Sequence, residues 1–549
     1  MTNAAIYLHS DGYETSGPRL LGRHAAGESF LRGFLRHGDV DQFHLWNVAD
    51  RPTADLDALI ARIEPPRRPV RWIPQRGRNE LAAVGVAYIP SPDLPAEAWF
   101  RAMVQPQYAL CGVTHTTASR VVMRIVGDML VAPIDDYDAL ICTSDAVRSA
   151  IDVQLSLMRD YMGREYGARR RGELRRVTIP LGVNVDDFAT SDADRRAWRE
   201  RLDIPQDAIV ALYVGRFNVR GKMNPALMAM ALERAAVSTG RPIYWVNSGW
   251  AENDKAAEIY HAEAAKLCPS VVYRQVDGRQ PDVRFNIWSV ADLFISFSDN
   301  IQETFGLTPV EAMAAGLPSV VSDWDGYKNT VRHGIDGFRV PTLMPGPGMG
   351  GDLAFHFANN LTSYENYIGG AAQYTALDLG AAEAAIVALA TDPDLRRRMG
   401  DAARRQARER FDWSVIIPQY QALWAEQAAR LAHSPPEARA RANPYAPDPF
   451  TLFSSYPTRS LTHQDIVTLR PGMTEAAAGA KLGGVLAGYS RMNPPSLDEV
   501  ARVIAHLAVH GSTPVSILRE LVTPTRRAFM DRGLIWMARH DIVEIASRS

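Results

Sequence analysis

Between residues 4 and 322 the chain alternates, twice over, short apolar runs of strand length with stretches of helical period. The runs are too short for buried helices and too continuously apolar for strands with one wet face. They predict parallel strands covered by helices on both sides, which constrains the chain to a doubly wound α/β architecture. In the first series the predicted strands are 4–9, 43–48, 70–73, 84–89, 109–114, 139–143 and 177–180, with helices over 19–36, 119–131 and 146–166. In the second, strands at 208–214, 243–247, 271–275, 293–297 and 318–322 alternate with helices at 225–239, 254–267, 285–290 and 308–315. Two Rossmann-like domains in tandem leave a cleft between the carboxyl ends of their strands, where such sheets bind ligands.

The rest of the chain divides by composition. Residues 342–351 form a proline- and glycine-rich loop. Helices follow over 381–391 and 394–410, then a long one over 413–431 with Trp413, Ile416, Ile417, Tyr420, Leu423 and Trp424 on one side. Residues 433–457, rich in proline, read as a linker. The tail, 458–549, is a mostly helical unit: helices over 497–509, 515–521 and 525–538 and a strand at 542–545 follow each other in winged-helix order. The expected domains are 1–183, 184–410, a crossover helix 411–432, the linker, and the accessory domain 458–549.

Net charge is −2 over 549 residues, so no global charge calls for nucleic acid or an anionic membrane. From Leu497 to Ser549 seven arginines balance six acids, which leaves no basic stripe in the tail either. That tail reads as a segment for protein or peptide contact, or for homo-oligomerisation. Cys111, Cys142 and Cys268 are widely spaced in apolar surroundings and suit a reducing compartment. The amino terminus runs directly into a strand without a signal-peptide pattern, and no stretch approaches the roughly 20 apolar residues of a membrane span. The expected location is the cytoplasm; a lipid-linked acceptor would place the protein peripherally at the inner membrane face.

The chemistry concentrates at two strand ends of the second series. After the apolar run Ala291-Asp-Leu-Phe-Ile-Ser-Phe-Ser298, Glu303 and Glu311 bracket Thr-Phe-Gly-Leu-Thr-Pro-Val. One carboxylate lies in a glycine-bearing loop, the other two turns later on the helix that the loop opens. Backbone amides at such a helix start favour an anion, while carboxylates accept hydrogen bonds from hydroxyls. The pair suits a ligand with both phosphate and hydroxyls, such as a nucleotide sugar. The second strand end is Leu212-Tyr-Val-Gly-Arg216-Phe-Asn-Val-Arg220-Gly-Lys222, whose cations suit a diphosphate. His115 ends another strand facing the cleft. His9 is followed by the polar loop Ser10-Asp-Gly12-Tyr-Glu14-Thr-Ser-Gly17, and Glu28 lies on the next helix. Asp323-Trp-Asp325 has metal-motif spacing but reads as structure.

These pieces, in this order, resemble the retaining GT-B glycosyltransferases of family 4. Ile179-Pro-Leu-Gly-Val-Asn-Val-Asp-Asp-Phe188 resembles their interdomain hinge, and Gly215-Arg216 through Lys222 their phosphate clamp. Glu303 to Glu311 resembles their Glu-x7-Glu motif. Ser322 to Gly326 and Asn329 to Phe338 resemble the following block, and Phe411-Asp-Trp413 the start of the terminal crossover helix. The resemblance covers about residues 1–430 and implies a transferase for a nucleotide-diphosphate sugar, acting with retention and without metal or other cofactor. It implies that Glu311 bonds the ribose and that Glu303 and His115 lie near the donor sugar. The backbone of Phe305, Gly306 and Leu307 would lie against sugar and phosphate, and Gly215, Arg216 and Lys222 would hold the diphosphate. Asp277 and Gly278 would lie where the base is held. Gly12, Glu14 and Gly17 would form an acceptor or phosphate loop, with Glu28 a candidate acceptor contact. The clamp lysine falls six residues after the arginine, where five is the commoner spacing, so Arg220 competes for its role. A sugar-nucleotide 2-epimerase on the same architecture is the alternative enzyme, and a regulatory or binding protein the alternative class. The sugar, the base and the acceptor (saccharide, lipid, metabolite or peptide) stay open.

Overall fold

The computed structural model describes residues 3–9, 12–13, 22–103, 107–168, 173–434, 443–488 and 496–547. Two compact units emerge, Met1–Asn443 and Pro444–Ser549. The first holds two wholly parallel sheets. One contains β1 (Ala5–Leu8), β2 (Phe43–Asn47), β3 (Val70–Pro74), β4 (Val86–Ile89), β5 (Ala109–Val113), β6 (Ala139–Cys142) and β7 (Arg175–Thr178), in the order β3-β2-β1-β4-β5-β6-β7. The other contains β8 (Ile209–Arg216), β9 (Ile243–Trp250), β10 (Val271–Asp277), β11 (Leu293–Ser296), β12 (Ser319–Ser322) and β13 (Gly337–Val340), in the order β10-β9-β8-β11-β12-β13. Sheet growth reverses between β1 and β4, and again between β8 and β11. Each reversal opens a crevice beyond the strand carboxyl ends. These are two tandem Rossmann-like sheets, and the predicted strands all form. β13 escaped the sequence reading because Gly-Phe-Arg-Val is short and charged at its centre. At the sheet's edge Arg339 need not be buried. Helices Thr53–Ile63, Arg78–Val84 and Leu94–Ala102 were also unread; the last two are under three turns, too short to show a period.

The chain passes between the two domains twice at one place. Val183 N donates to Phe411 O (2.8 Å) and Trp413 N to Val183 O (3.2 Å). The helix Trp413–His433 then packs on the first domain. Its Trp413 donates to Ser29 Oγ (2.7 Å) and packs edge-on to Phe30, with Tyr420 and Trp424 on Tyr88. Gln427 fixes its far end through the carbonyls of Leu110 and Tyr137. Gly33 and Gly182 are both required here, since a Cβ at either would overlap the Trp413 ring.

Each sheet has a buried arginine–aspartate pair at the edge opposite its carboxyl ends. Asp138, just before β6, accepts Arg101 Nη1 and Nη2 (2.6 and 2.7 Å) and Leu110 N (2.8 Å). Asp292, just before β11, accepts Arg199 Nη2 (2.9 Å) and Val210 N (2.8 Å). Removing one member of a buried pair strands the other's charge. Arg101→Ala is therefore expected to cost about 3–5 kcal/mol of unfolding free energy in denaturant titration.

After β13 the chain leaves its sheet. β14 (Thr342–Leu343) pairs antiparallel with β15 (Ala376–Leu377), and between them lie the helices Gly351–Ala358 and Tyr364–Ala372. The predicted loop over 342–351 is thus a strand at its start and a helix at its end, and the two helices had not been read. The second unit is Pro444–Ser549, and a short helix, Pro449–Leu452, falls inside the expected linker. Residues 435–442 lie outside the described set. The unit's sheet is antiparallel, β17 (Thr513–Pro514), β16 (Ile466–Leu469), β18 (Val543–Ala546), with β16 central. Helices Leu497–His510, Val515–Leu518 and Arg527–Arg539 bury Val503, Leu507, Leu518, Leu534 and Met537 against it. This is the expected winged-helix order, with β16 and the helix Glu475–Leu482 added before it. Among the described residues no helix is long and apolar enough to cross a membrane.

Candidate active site

The crevice between β8 and β11 receives the motif residues. Next to it, the ends of β8, β9 and β10 are bare of side chains at three adjacent glycines. Gly215 on β8 pairs with Gly249 on β9, and Gly278, just past β10, donates its amide to Gly249 O (3.0 Å). A Cβ on Gly249 would overlap the Gly215 carbonyl, and one on Gly215 the Tyr213 hydroxyl. Gly249 was missed in the sequence, where Asn-Ser-Gly-Trp gives no motif; only its place at a strand end marks it.

The loop after β8 is a turn tied by Asn218, whose side chain accepts the amides of Arg220 (3.0 Å) and Gly221 (2.7 Å). It separates the three cations. Lys222 Nζ sits 3.0 Å from Glu303 Oε2. Arg216 is half-buried, and its guanidinium makes no hydrogen bond or ion pair with the described residues. Arg220 is exposed, its stem against Gly369, where a Cβ would stand 3.0 Å away. The turn thus sets Arg220 apart from the Lys222–Glu303 pair. Asn300 and Gln302 stitch this turn to the loop after β11 by donating to the carbonyls of Arg220 and Gly221.

Glu303 lies between opposed effects. Burial pushes its carboxyl up, but Lys222 and the amides of Thr304 and Phe305 outweigh it and hold the group below the usual carboxylate value. Gly306 then opens the helix Leu307–Ala314 at φ +83°. Phe305 is buried against Phe411 (6.1 Å between rings), so only its backbone is placed to meet a ligand. One turn on, burial pushes Glu311 up to about 7, against the pull of Arg284 and Lys222. Lys222 thus lies close enough to act on both carboxylates, while Arg216 ends the neighbouring strand β8. Asp277 is paired with Arg279 (2.8 and 2.9 Å), and the Gly278 amide is spent on Gly249 O.

The first domain closes on this crevice. His115 Nε2 donates to Pro90 O (3.1 Å), which fixes that proton. Thr143 Oγ1 donates to Thr304 O (3.2 Å), Ser144 Oγ to Asp325 Oδ1 (3.1 Å), and Asp145 and Asn329 exchange two bonds (2.8 and 3.1 Å). The sequence reading missed this seam, because no motif joins residues nearly two hundred apart. Asp323 pairs with Arg339 (3.3 Å), so Asp323 and Asp325 serve different partners. Gly12 lies against the helix Gly22–His37, where a Cβ on Gly27 would overlap its carbonyl, and Glu28 is half-buried on that helix. Glu14 and Gly17 lie outside the described residues.

Three carboxyls here are raised by burial: Asp299 and Glu311 to about 7, and Asp325, with Glu303's charge adding, to about 8. The folded chain keeps these protons where the unfolded chain, with ordinary values near 4, has lost them. Stability must fall as pH rises through that window, so unfolding at about pH 5.5 needs more denaturant than at about pH 8.5. Asp325→Asn is expected to flatten that slope.

The family described as Glycosyl transferases group 1 matches residues 194–343. D-inositol 3-phosphate glycosyltransferase of Geodermatophilus obscurus is 28% identical over 223 residues, 40% of this chain and 44% of its own. That of Streptomyces bingchenggensis is 29% identical over 270 residues, 49% and 50%. The chain spans about half the length of the curated relatives it matches. Among solved structures, sucrose-phosphate synthase of Thermosynechococcus elongatus is similar over 78% of this chain and 100% of its own, at 16% identity and a TM-score of 0.47. Anabaena HepE in complex with UDP and glucose is similar over 77% and 99%, at 17% identity and a TM-score of 0.48.

Proposed function

We propose that this chain, which carries a group 1 glycosyl transferase domain over residues 194–343, moves a hexose from a nucleotide-diphosphate sugar to a hydroxyl acceptor. The observation that carries this reading is the Lys222–Glu303 pair set before the helix opening at Gly306, with Arg216 at the end of the adjacent strand β8. As the bond from sugar C1 to the phosphate oxygen breaks, its electrons go to the diphosphate. Positive charge develops on the ring. Lys222, Arg216 and the amides at the helix start oppose the growing negative charge, and such preplaced groups contribute several kcal/mol, roughly 3 each. Glu303 takes hydroxyls of the sugar, and Glu311 the ribose. The two cations fill the charge role of a divalent metal, and departure and attack on one face give retention. The acceptor hydroxyl bonds to C1 and its proton passes to the departing phosphate oxygen. The relatives' names make an inositol phosphate the first acceptor to assay.

Glu311 supplies a binding test. A ribose diol donates to a carboxylate better than to a carboxylic acid, so binding lowers the Glu311 pKa from about 7 and releases a proton. Nucleotide sugars suit the experiment because their diphosphate does not titrate near neutrality. Calorimetry near pH 6.5 in two buffers of different ionisation heat is expected to show this release, and Glu311→Gln to abolish it and weaken binding about tenfold. If no nucleotide sugar in a panel of bases and hexoses binds, the reading fails.

A further inference from the structure

We propose that Tyr364, carried on the excursion between β14 and β15, is a positioning residue for the donor's sugar, tying the two walls of the cleft together around it. The proposal rests on the transferase reading. The excursion is a built element. Its neck is the β14–β15 pair, Phe357 and Tyr367 stack inside it (4.0 Å, 2° between planes), and Phe357 and Ile368 are buried. It touches both domains. Arg120 of the first domain bonds Asn360 and lies over the Phe357 ring (4.5 Å), while Gly369 lies against Arg220 of the second.

Ser363 caps the helix Tyr364–Ala372 by accepting Asn366 N (3.1 Å), which puts Tyr364 at the helix's first position. From there its hydroxyl meets Gln302 Oε1 (3.1 Å) and Thr116 Oγ1 (3.3 Å). Gln302 Oε1 is an acceptor only, so the single Tyr364 proton goes to it. Thr116 must then be the donor to Tyr364. Gln302 in turn donates through its nitrogen to Gly221 O. One directed chain therefore runs from Thr116, beside His115, through Tyr364 and Gln302, to the turn between Arg216 and Lys222. Bonds aligned in this sense reinforce one another. Burial pushes the Tyr364 phenol up, so it keeps its proton at neutral pH. Gln302 is next to Glu303, which the transferase reading sets on the sugar, and Thr116 is next to His115, which the family resemblance sets there. Loss of the Tyr364 bonds loosens the sugar's surroundings but leaves the Gln302–Gly221 bond, and with it the turn that carries Lys222, in place.

Tyr364→Phe keeps the ring and removes both bonds. Affinity for free nucleoside diphosphate is expected to change less than about twofold. Affinity for the intact nucleotide sugar, and the rate at which it is consumed, are each expected to fall about tenfold, the size of one lost hydrogen bond in a site. Gln302→Ala is expected to cost at least as much, because it also frees the Gly221 turn, and the double variant no more than the worse single one, since both break the same chain. Full sugar affinity and turnover in Tyr364→Phe overturn the proposal. So does an equal loss for diphosphate and nucleotide sugar, which marks general loosening. If the unaltered chain binds no nucleotide sugar, the transferase reading falls and takes the proposal with it; if both proteins bind and turn over alike, this proposal alone falls.

Discussion

Lys222→Ala is expected to lower turnover by about 100- to 1,000-fold while changing nucleoside diphosphate affinity by less than about tenfold. The split follows from where the charge matters. In the resting site Lys222 already has a partner, Glu303, at 3.0 Å. A bound diphosphate must compete for it, so the lysine adds little to ground-state binding. When the sugar–phosphate bond opens, the growing charge on the leaving oxygen tips that competition, and the lysine acts mainly there. Its loss also leaves the Glu303 carboxylate without its cation, and burial then drives that group's pKa upward. Single-turnover rates beside equilibrium binding separate the two effects. Equal losses in both would place Lys222 in uniform binding instead.

Gly306→Ala is expected to destabilise the first unit by about 3 kcal/mol or more and to abolish nucleotide binding. Two causes add. The residue sits at φ +83°, where a side chain is strained, and its Cβ would overlap the Tyr327 ring. That ring cannot yield easily: it is buried, and its hydroxyl is bonded to Ser296 (2.8 Å). Gly334→Ala isolates the first cause. Gly334 has φ +76° but nothing within 4 Å of its Cβ position, so about 1 kcal/mol is expected there. Comparable denaturation midpoints for the two variants would show that the Tyr327 contact contributes nothing.

What the sequence made legible follows from what is local. The parallel strands announced themselves as apolar runs because both faces of each sheet are covered, and the Glu303–Glu311 helix did so through a fixed spacing. The pairing of Lys222 with Glu303 required only that both lie at ends of adjacent strands, which strand order supplies. Contacts that depend on distant segments left no trace. Ser144 meets Asp325 and Tyr364 meets Thr116 only because the domains face each other, and no periodicity in either segment encodes the other. The excursion helices were hidden for a different reason: they follow a glycine- and proline-rich stretch whose composition reads as loop although Gly351 already opens a helix.

The most direct measurement is mass-spectrometric detection of free nucleoside diphosphate when the full chain is incubated with a panel of nucleotide-diphosphate sugars. One donor is expected to yield diphosphate steadily with the unaltered chain, faster when a suitable hydroxyl acceptor is present, and at least about a hundred times more slowly with Lys222→Ala. Recovery of every donor at unchanged mass, whether intact or converted to an epimer, would contradict the transferase reading.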